Sequence, residues 1–171
     1  MKKPYTVFIT GASEGIGASI AKTLCSNGLN VFAFARREAK LNEIKESYSN
    51  LSGKFDFFAG DVTSNEDLQE ASSMCLSRFD NIDILIPNAG IGFFNPLYKG
   101  SIKEWESMVD VNVTGVLRTI HATLPHLIKS KGHIINIGSV AARNIFPNSG
   151  VYCATKHAVL AISESLKIEF S

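Results

Sequence analysis

Thr6 to Thr10 is a short β-branched and aromatic run that ends at Gly11, and the chain then passes through Ala12-Ser13-Glu14-Gly15-Ile16-Gly17. Beyond that loop Ile16, Ile20 and Leu24 recur at helical spacing up to Asn27-Gly28. A strand that delivers the chain through a glycine turn straight into a helix is the opening unit of a sheet with crossover helices. The glycines allow a tight turn and let backbone N–H groups approach a pyrophosphate, and the helix dipole adds attraction for that anion. Taken alone a glycine pattern is a weak signal. Its strand-loop-helix setting makes nucleotide binding the expected role of Gly11, Ser13, Glu14, Gly15, Ile16 and Gly17.

The alternation continues along the chain. Val31 to Ala35 reads as a second buried strand, Leu41, Ile44 and Tyr48 share a helical face, and Phe55 to Ala59 is a third strand. Thr63 and Ser64, followed by Glu66 and Asp67, form a capped helix start that leads through Leu68, Ala71 and Cys75 to a strand from Ile84 to Pro87. Ser101 with Glu104 repeats the capping signature. From there a long helix is expected to carry Trp105, Met108, Val109, Val113, Val116, Leu117 and Ile120 inward, with a kink at Pro125. His133 to Gly138 is a fifth strand, and a final helix runs from about Gly150 to the end. Strands that are apolar on both faces and separated by helices predict a doubly wound, Rossmann-like α/β fold, a parallel sheet with helices on both faces.

At 171 residues the chain suits a single domain, 1–171. A formal charge of +1 gives no basic excess for a polyphosphate backbone, which excludes nucleic acid as a partner. There is no apolar run long enough for a membrane span, and no signal peptide follows Met1-Lys2-Lys3. Cys25, Cys75 and Cys153 are odd in number and widely spaced, which predicts reduced thiols in a cytoplasmic protein and no metal site.

The end of the second strand selects the nucleotide. A carboxylate there would take ribose hydroxyls, whereas arginine suits a 2′-phosphate. Ala35 followed by Arg36 and Arg37 favours NADP, with NAD the less favoured alternative.

Tyr152 and Lys156 are four residues apart at the start of the last helix, so their side chains share a face. With four tyrosines in the chain that spacing is common by chance. Ser139, just past the fifth strand, adds a third polar group at the sheet edge where such folds collect their ligands.

These residues resemble the short-chain dehydrogenase/reductase family through Thr10 to Gly17, Asp61-Val62, Pro87-Asn88-Ala89-Gly90, Asn112, Ser139 and Tyr152-Cys153-Ala154-Thr155-Lys156. The likeness spans nearly the whole chain, in the family's order. It implies that Tyr152 is the general acid/base, that Lys156 favours its phenolate and holds the nicotinamide ribose, that Ser139 hydrogen-bonds the substrate oxygen, and that Asn112 anchors a water. It also implies that Asn88, Ala89 and Gly90 line the adenosine-side ribose and that Asp61 and Val62 meet the adenine. Hydride would pass between nicotinamide and a small-molecule carbonyl or secondary alcohol, in a homodimer or homotetramer. Pro87 stands where the family often has asparagine. Glu14 stands where some NADP-preferring members carry a basic residue, so Arg36 and Arg37 are the remaining 2′-phosphate candidates.

Family members usually continue past the Tyr-x-x-x-Lys helix, so a C-terminal part is expected to be missing here. A truncated or regulatory NADP-binding protein without turnover is therefore an alternative reading, and a non-catalytic dimer built on the two long helices is a third.

Overall fold

The computed structural model describes residues 3–170. Five parallel strands form one sheet: β1 (Thr6–Thr10), β2 (Asn30–Ala35), β3 (Phe55–Ala59), β4 (Ile84–Ile86) and β5 (His133–Ile134), in the order β3-β2-β1-β4-β5. The chain winds outward from β1 to β3, then returns to the other side of β1 with β4. This is the doubly wound arrangement expected from the sequence, and the order reverses between β1 and β4.

Alternate side chains of the strands fill two cores. Phe8, Phe32 and Phe34 point to one face, where they pack with Leu68 and Ala71 of α3 (Asn65–Phe79) and with Val116 and Ile120 of α5 (Gly115–Ser130). Val7, Ile9, Val31 and Ala33 point to the other, against Ala21 and Cys25 of α1 (Gly15–Ser26) and Leu41 of α2 (Glu38–Ser47). Burial on both faces is why these strands read as unbroken apolar runs rather than alternating ones. Ser64 caps α3 by accepting from the Asp67 amide at 3.1 Å. Ser101 holds the same place before α4 (Ile102–Val109), but its side chain makes no capping bond.

The expected long helix is two helices. A wider π turn, Asp110–Thr114, separates α4 from α5. Each residue advances a helix by roughly 100°, so the extra residue in that turn rotates the apolar stripe. Met108, Val116 and Ile120 are buried as expected, Trp105 and Val113 are half-buried, and Val109 and Leu117 turn outward at 45% and 46% exposed. Arg118 spans the turn to Asp110 at 2.6 Å. α5 runs on through Pro125.

Gly17, Ala21 and Cys25 form the buried stripe of α1, while Ile16 is 64% exposed because the first turn of the helix faces an open cleft. Regular pairing in β5 covers only His133–Ile134, although the Ile135 amide still donates to Leu85 O at 2.8 Å and carries the chain toward Ser139. α6 (Gly150–Glu169) completes the element list; the predicted continuation to Ser171, like the Met1-Lys2 start, lies outside the described residues.

All three cysteines are buried free thiols. Burial pushes Cys25 up to about 11 and raises Cys75 further. No described helix is long and apolar enough to cross a membrane.

Candidate active site

The crevice opens at the carboxyl ends of the strands, bordered by the loops that follow β1 and β4. Gly11 turns the chain off β1 at a φ of +67°, and a methyl group there would stand 2.8 Å from the Ala89 Cα. At Gly17 a methyl would collide with the Gly11 carbonyl and lie 2.6 Å from Asn88 Nδ2. Only glycine lets α1 begin this close to the loop after β4. Thr10 ties the two loops together: its hydroxyl accepts from the amides of Asn88 and Ala89, each at 3.1 Å. The Asn88 side chain returns the contact by donating to Thr10 O at 3.0 Å and Gly11 O at 3.2 Å.

The result is a cleft of about 390 Å³. Gly11, Ser13, Glu14, Ile16, Arg36, Arg37, Asp61, Val62, Asn88, Ala89 and Gly90 all line it. Gly15 and Gly17 lie outside the lining and shape the helix start instead. The residues fit a dinucleotide on the evidence of that start. Gly15, Ile16 and Gly17 precede the first intrahelical bond, from the Ala18 amide to Glu14 O, and no acidic side chain of the first turn occupies the positive end of the dipole.

Glu14 itself is drawn aside. Its carboxylate accepts from Arg37 Nη2 at 2.7 Å, and the same nitrogen donates to Ser13 Oγ at 3.0 Å. Arg36 is looser, with Nη1 3.8 Å from Asp61 Oδ2 and its side chain largely exposed. Asp61 also accepts from the amide and hydroxyl of Thr63, both at 3.0 Å, which fixes the turn at the end of β3.

Asn112, Ser139, Tyr152 and Lys156 are outside the lining of this cleft. Tyr152 and Lys156 lie in the first two turns of α6. Lys156 Nζ stands 5.9 Å from the centre of the Tyr152 ring and donates to Ile137 O at 3.3 Å. Burial holds its ammonium below the ordinary lysine range. Ser139 opens a short 3-10 turn, Val140–Ala142, and its Oγ accepts from the Ala141 amide at 3.1 Å. Among the described residues, no hydrogen bond directly links the side chains of Ser139, Tyr152 and Lys156.

Asn112 sits in the π turn, 2% exposed. Its Oδ1 accepts from the Ile91 amide at 2.8 Å, and its Nδ2 donates to Ile91 O at 2.8 Å and to Thr155 Oγ1 at 3.1 Å. The Thr155 hydroxyl donates in turn to Tyr152 O at 2.7 Å. Asn112 therefore staples the loop after β4 to the second turn of α6. The segment 88–94 joins the two halves of the site: Asn88 to Gly90 line the cleft, Ile91 is held by Asn112, and Phe94 packs edge-on against Tyr152 with ring centres 5.4 Å apart.

Sequence reasoning names Gly92-Phe93-Phe94 as an apolar lining for the substrate but gives Thr10 and Thr155 no role of their own. Thr155 carried a readable signal, since it is three residues past Tyr152 on the same helical face. Thr10 carried a weaker one as the last residue before Gly11. Among the described residues, no cluster of three His, Cys, Asp or Glu side chains forms a metal site.

The sequence model for short chain dehydrogenases matches residues 5–171. The chain belongs to the short-chain dehydrogenase family. Two curated relatives from Staphylococcus saprophyticus, both described as uncharacterised oxidoreductases, are 42% identical over 98% of this chain and 68% of the relative, and 39% identical over 95% and 70%. An alcohol dehydrogenase from Thermococcus sibiricus, solved with 5-hydroxy-NADP, superposes with a TM-score of 0.94 at 32% identity over 98% of this chain and 72% of its own. Carveol dehydrogenase from Mycobacterium avium, solved with NAD, gives a TM-score of 0.92 at 28% identity over 98% and 66%. Membership makes this chain an oxidoreductase of that family, and both of these solved neighbours hold a nicotinamide dinucleotide.

Proposed function

We propose that the protein reduces a carbonyl, or oxidises the corresponding secondary alcohol, with NADP as the preferred nicotinamide cofactor. The observation that carries this reading is the continuity of segment 88–94, which lines the dinucleotide cleft at one end and meets Tyr152 at the other. Bound NADPH would supply a hydride, and with it two electrons, to the carbonyl carbon. Gly11, Gly15 and Gly17 shape the turn that presents the α1 N-terminus to its pyrophosphate, and Asp61, Val62, Asn88, Ala89 and Gly90 take its adenosine side.

Tyr152 gives its hydroxyl proton to the carbonyl oxygen, so C=O becomes CH–OH; in the reverse direction it takes that proton back. Ser139 positions the same oxygen. Its acceptor side is used by the Ala141 amide, which leaves its O–H free to donate. Lys156, charged and close to the ring, favours the phenolate left behind and holds the nicotinamide ribose. Asn112 anchors the water that returns a proton to Tyr152, through the one Oδ1 lone pair that its bonds to Ile91 and Thr155 leave over. The outward side chains Ile102, Val109 and Leu117 on α4 and α5 support assembly with a second copy.

The NADP preference rests on Arg36. A long, exposed pair with Asp61 contributes little, so the guanidinium is free to turn to a 2′-phosphate, while Arg37 is already engaged by Glu14 and Ser13. Thermal denaturation is expected to show greater stabilisation by NADPH than by NADH at equal concentration, with Arg36→Ala removing most of the difference. Equal stabilisation by the two would reject the arginine argument. No stabilisation by either would reject the dinucleotide reading.

A further inference from the structure

Tyr152 has an apolar neighbour that the chemistry above does not use. Phe94 is 60% exposed, yet its ring lies edge-on to the tyrosine at an interplanar angle of 60°. The backbone on either side holds it there: Asn112 fixes Ile91, and the Phe93 amide donates to the buried Met108 Sδ at 3.3 Å. Gly92 makes the contact possible. A methyl group on it would stand 2.8 Å from Phe94 Cζ and 3.3 Å from Tyr152 Cδ2.

The segments that flank this ring pair carry several exposed apolar side chains. Leu97 lies against Gly150, where a methyl would be 3.4 Å from Leu97 Cδ2, two residues before Tyr152. Val140 follows Ser139 directly, and Phe146 is tied to the start of α6 by Ser149, whose hydroxyl donates to Phe146 O at 3.0 Å. Leu97, Val140 and Phe146 are all exposed. Across residues 88–98 and 138–152, which supply this wall, Arg143 is the only charged side chain. An exposed apolar surface of this kind, converging on one polar group, marks a binding site whose ligand is apolar around a single polar atom.

We propose that Phe94 is the specificity-determining residue of this site and that the substrate class is an uncharged ketone or secondary alcohol with an aryl or bulky alkyl substituent. The substituent packs on Phe94 while the oxygen meets Tyr152 and Ser139. This rests on the carbonyl-reduction reading and names its substrate. A carboxylate-bearing or polyhydroxylated carbonyl would lose hydration along the same wall without gaining a partner.

The test follows NADPH oxidation by the protein with acetophenone, dihydroxyacetone and pyruvate, alongside thermal shifts with NADPH. The wild-type protein is expected to favour acetophenone by at least about tenfold in kcat/KM over the other two. Phe94→Ala is expected to raise KM for acetophenone by about tenfold and to change that for dihydroxyacetone by less than about twofold. Gly92→Ala should move specificity in the same direction by displacing the ring, and Phe94→Leu should restore most of the preference. A general structural defect would instead lower turnover on every carbonyl together. Preference for pyruvate or dihydroxyacetone, an equal KM change for all three in Phe94→Ala, or an NADPH thermal shift without turnover of acetophenone overturns the proposal. Absence of the NADPH shift in the wild-type protein overturns the dinucleotide reading, and this proposal with it.

Discussion

Replacing Tyr152 by phenylalanine is expected to slow carbonyl reduction by about a thousandfold while NADPH still binds. A general acid positioned at the reacting oxygen contributes typically 10²–10⁴-fold, and this substitution removes the acid and nothing else. The ring stays, so its contact with Phe94 at 5.4 Å stays. Lys156 keeps its bond to Ile137 O, and Thr155 keeps its bond to the main-chain oxygen of residue 152. Steady-state kinetics beside an NADPH thermal shift checks the claim. Unchanged turnover would remove Tyr152 from the mechanism, and loss of the shift would assign it to binding instead.

Lys156→Met is expected to reduce turnover by more than about a hundredfold while making the cofactor-free fold more resistant to heat at neutral pH. The two effects have one cause. Burial lowers the affinity of Lys156 for its proton in the folded state relative to the unfolded chain, where it titrates near about 10.4. The unfolded chain therefore binds that proton more tightly, and the folded state is disfavoured at every pH below the lowered value. The penalty fades as pH rises from that value to the unfolded one and is absent above it. Methionine keeps the aliphatic stem and removes the charge, so its stabilising effect should be present at pH 7 and vanish above about pH 10.4. Denaturation curves at pH 7 and pH 11 test it. A variant that is less stable at pH 7 would contradict the account.

The burial of Lys156 illustrates a trade familiar at functional sites, where a group is held in a form that folding alone would not choose. The carbonyl oxygen of Ile137 is the one hydrogen-bond partner its ammonium has among the described residues. A bound ribose would add acceptors in the same place.

The architecture was legible because it follows from local patterns. Strands buried on both faces read as apolar runs, as in Val31 to Ala35, and the glycines at positions 11 and 17 mark places where two backbones meet. The π turn was not legible. The pattern from Trp105 to Ile120 suits a single helix, and nothing in Asp110 to Thr114 announces an extra residue; the turn is held by long-range partners, Ile91 and Thr155 on Asn112, which periodicity cannot register. Val109 and Leu117 were placed inward for that reason. Ile16 keeps the helical spacing and is expected from the sequence as a cofactor contact; its exposure follows from topology, because the first turn borders a crevice that the sheet creates.

The same distinction runs through the site. Each of Arg36, Arg37 and Glu14 could be named from the sequence, but their pairing could not, because Glu14 and Arg37 meet only once β1 and β2 lie side by side. The pairing changes the argument, since it engages one of the two arginines and leaves Arg36 as the freer candidate. Asn88 changed in a similar way. Its side chain spans from the loop after β4 to Thr10 and Gly11, so part of its role is to build the cleft that its neighbours line.

The central claim is that a hydride moves from NADPH to a carbonyl carbon while Tyr152 supplies the proton. NADPH carrying deuterium at the transferring C4 position, incubated with the protein and acetophenone and analysed by mass spectrometry, tests it most directly. The account predicts a 1-phenylethanol product one mass unit heavier, with the label on the carbinol carbon, formed about a thousandfold more slowly by Tyr152→Phe. Product without the label, or equal labelling rates in the two proteins, would contradict it.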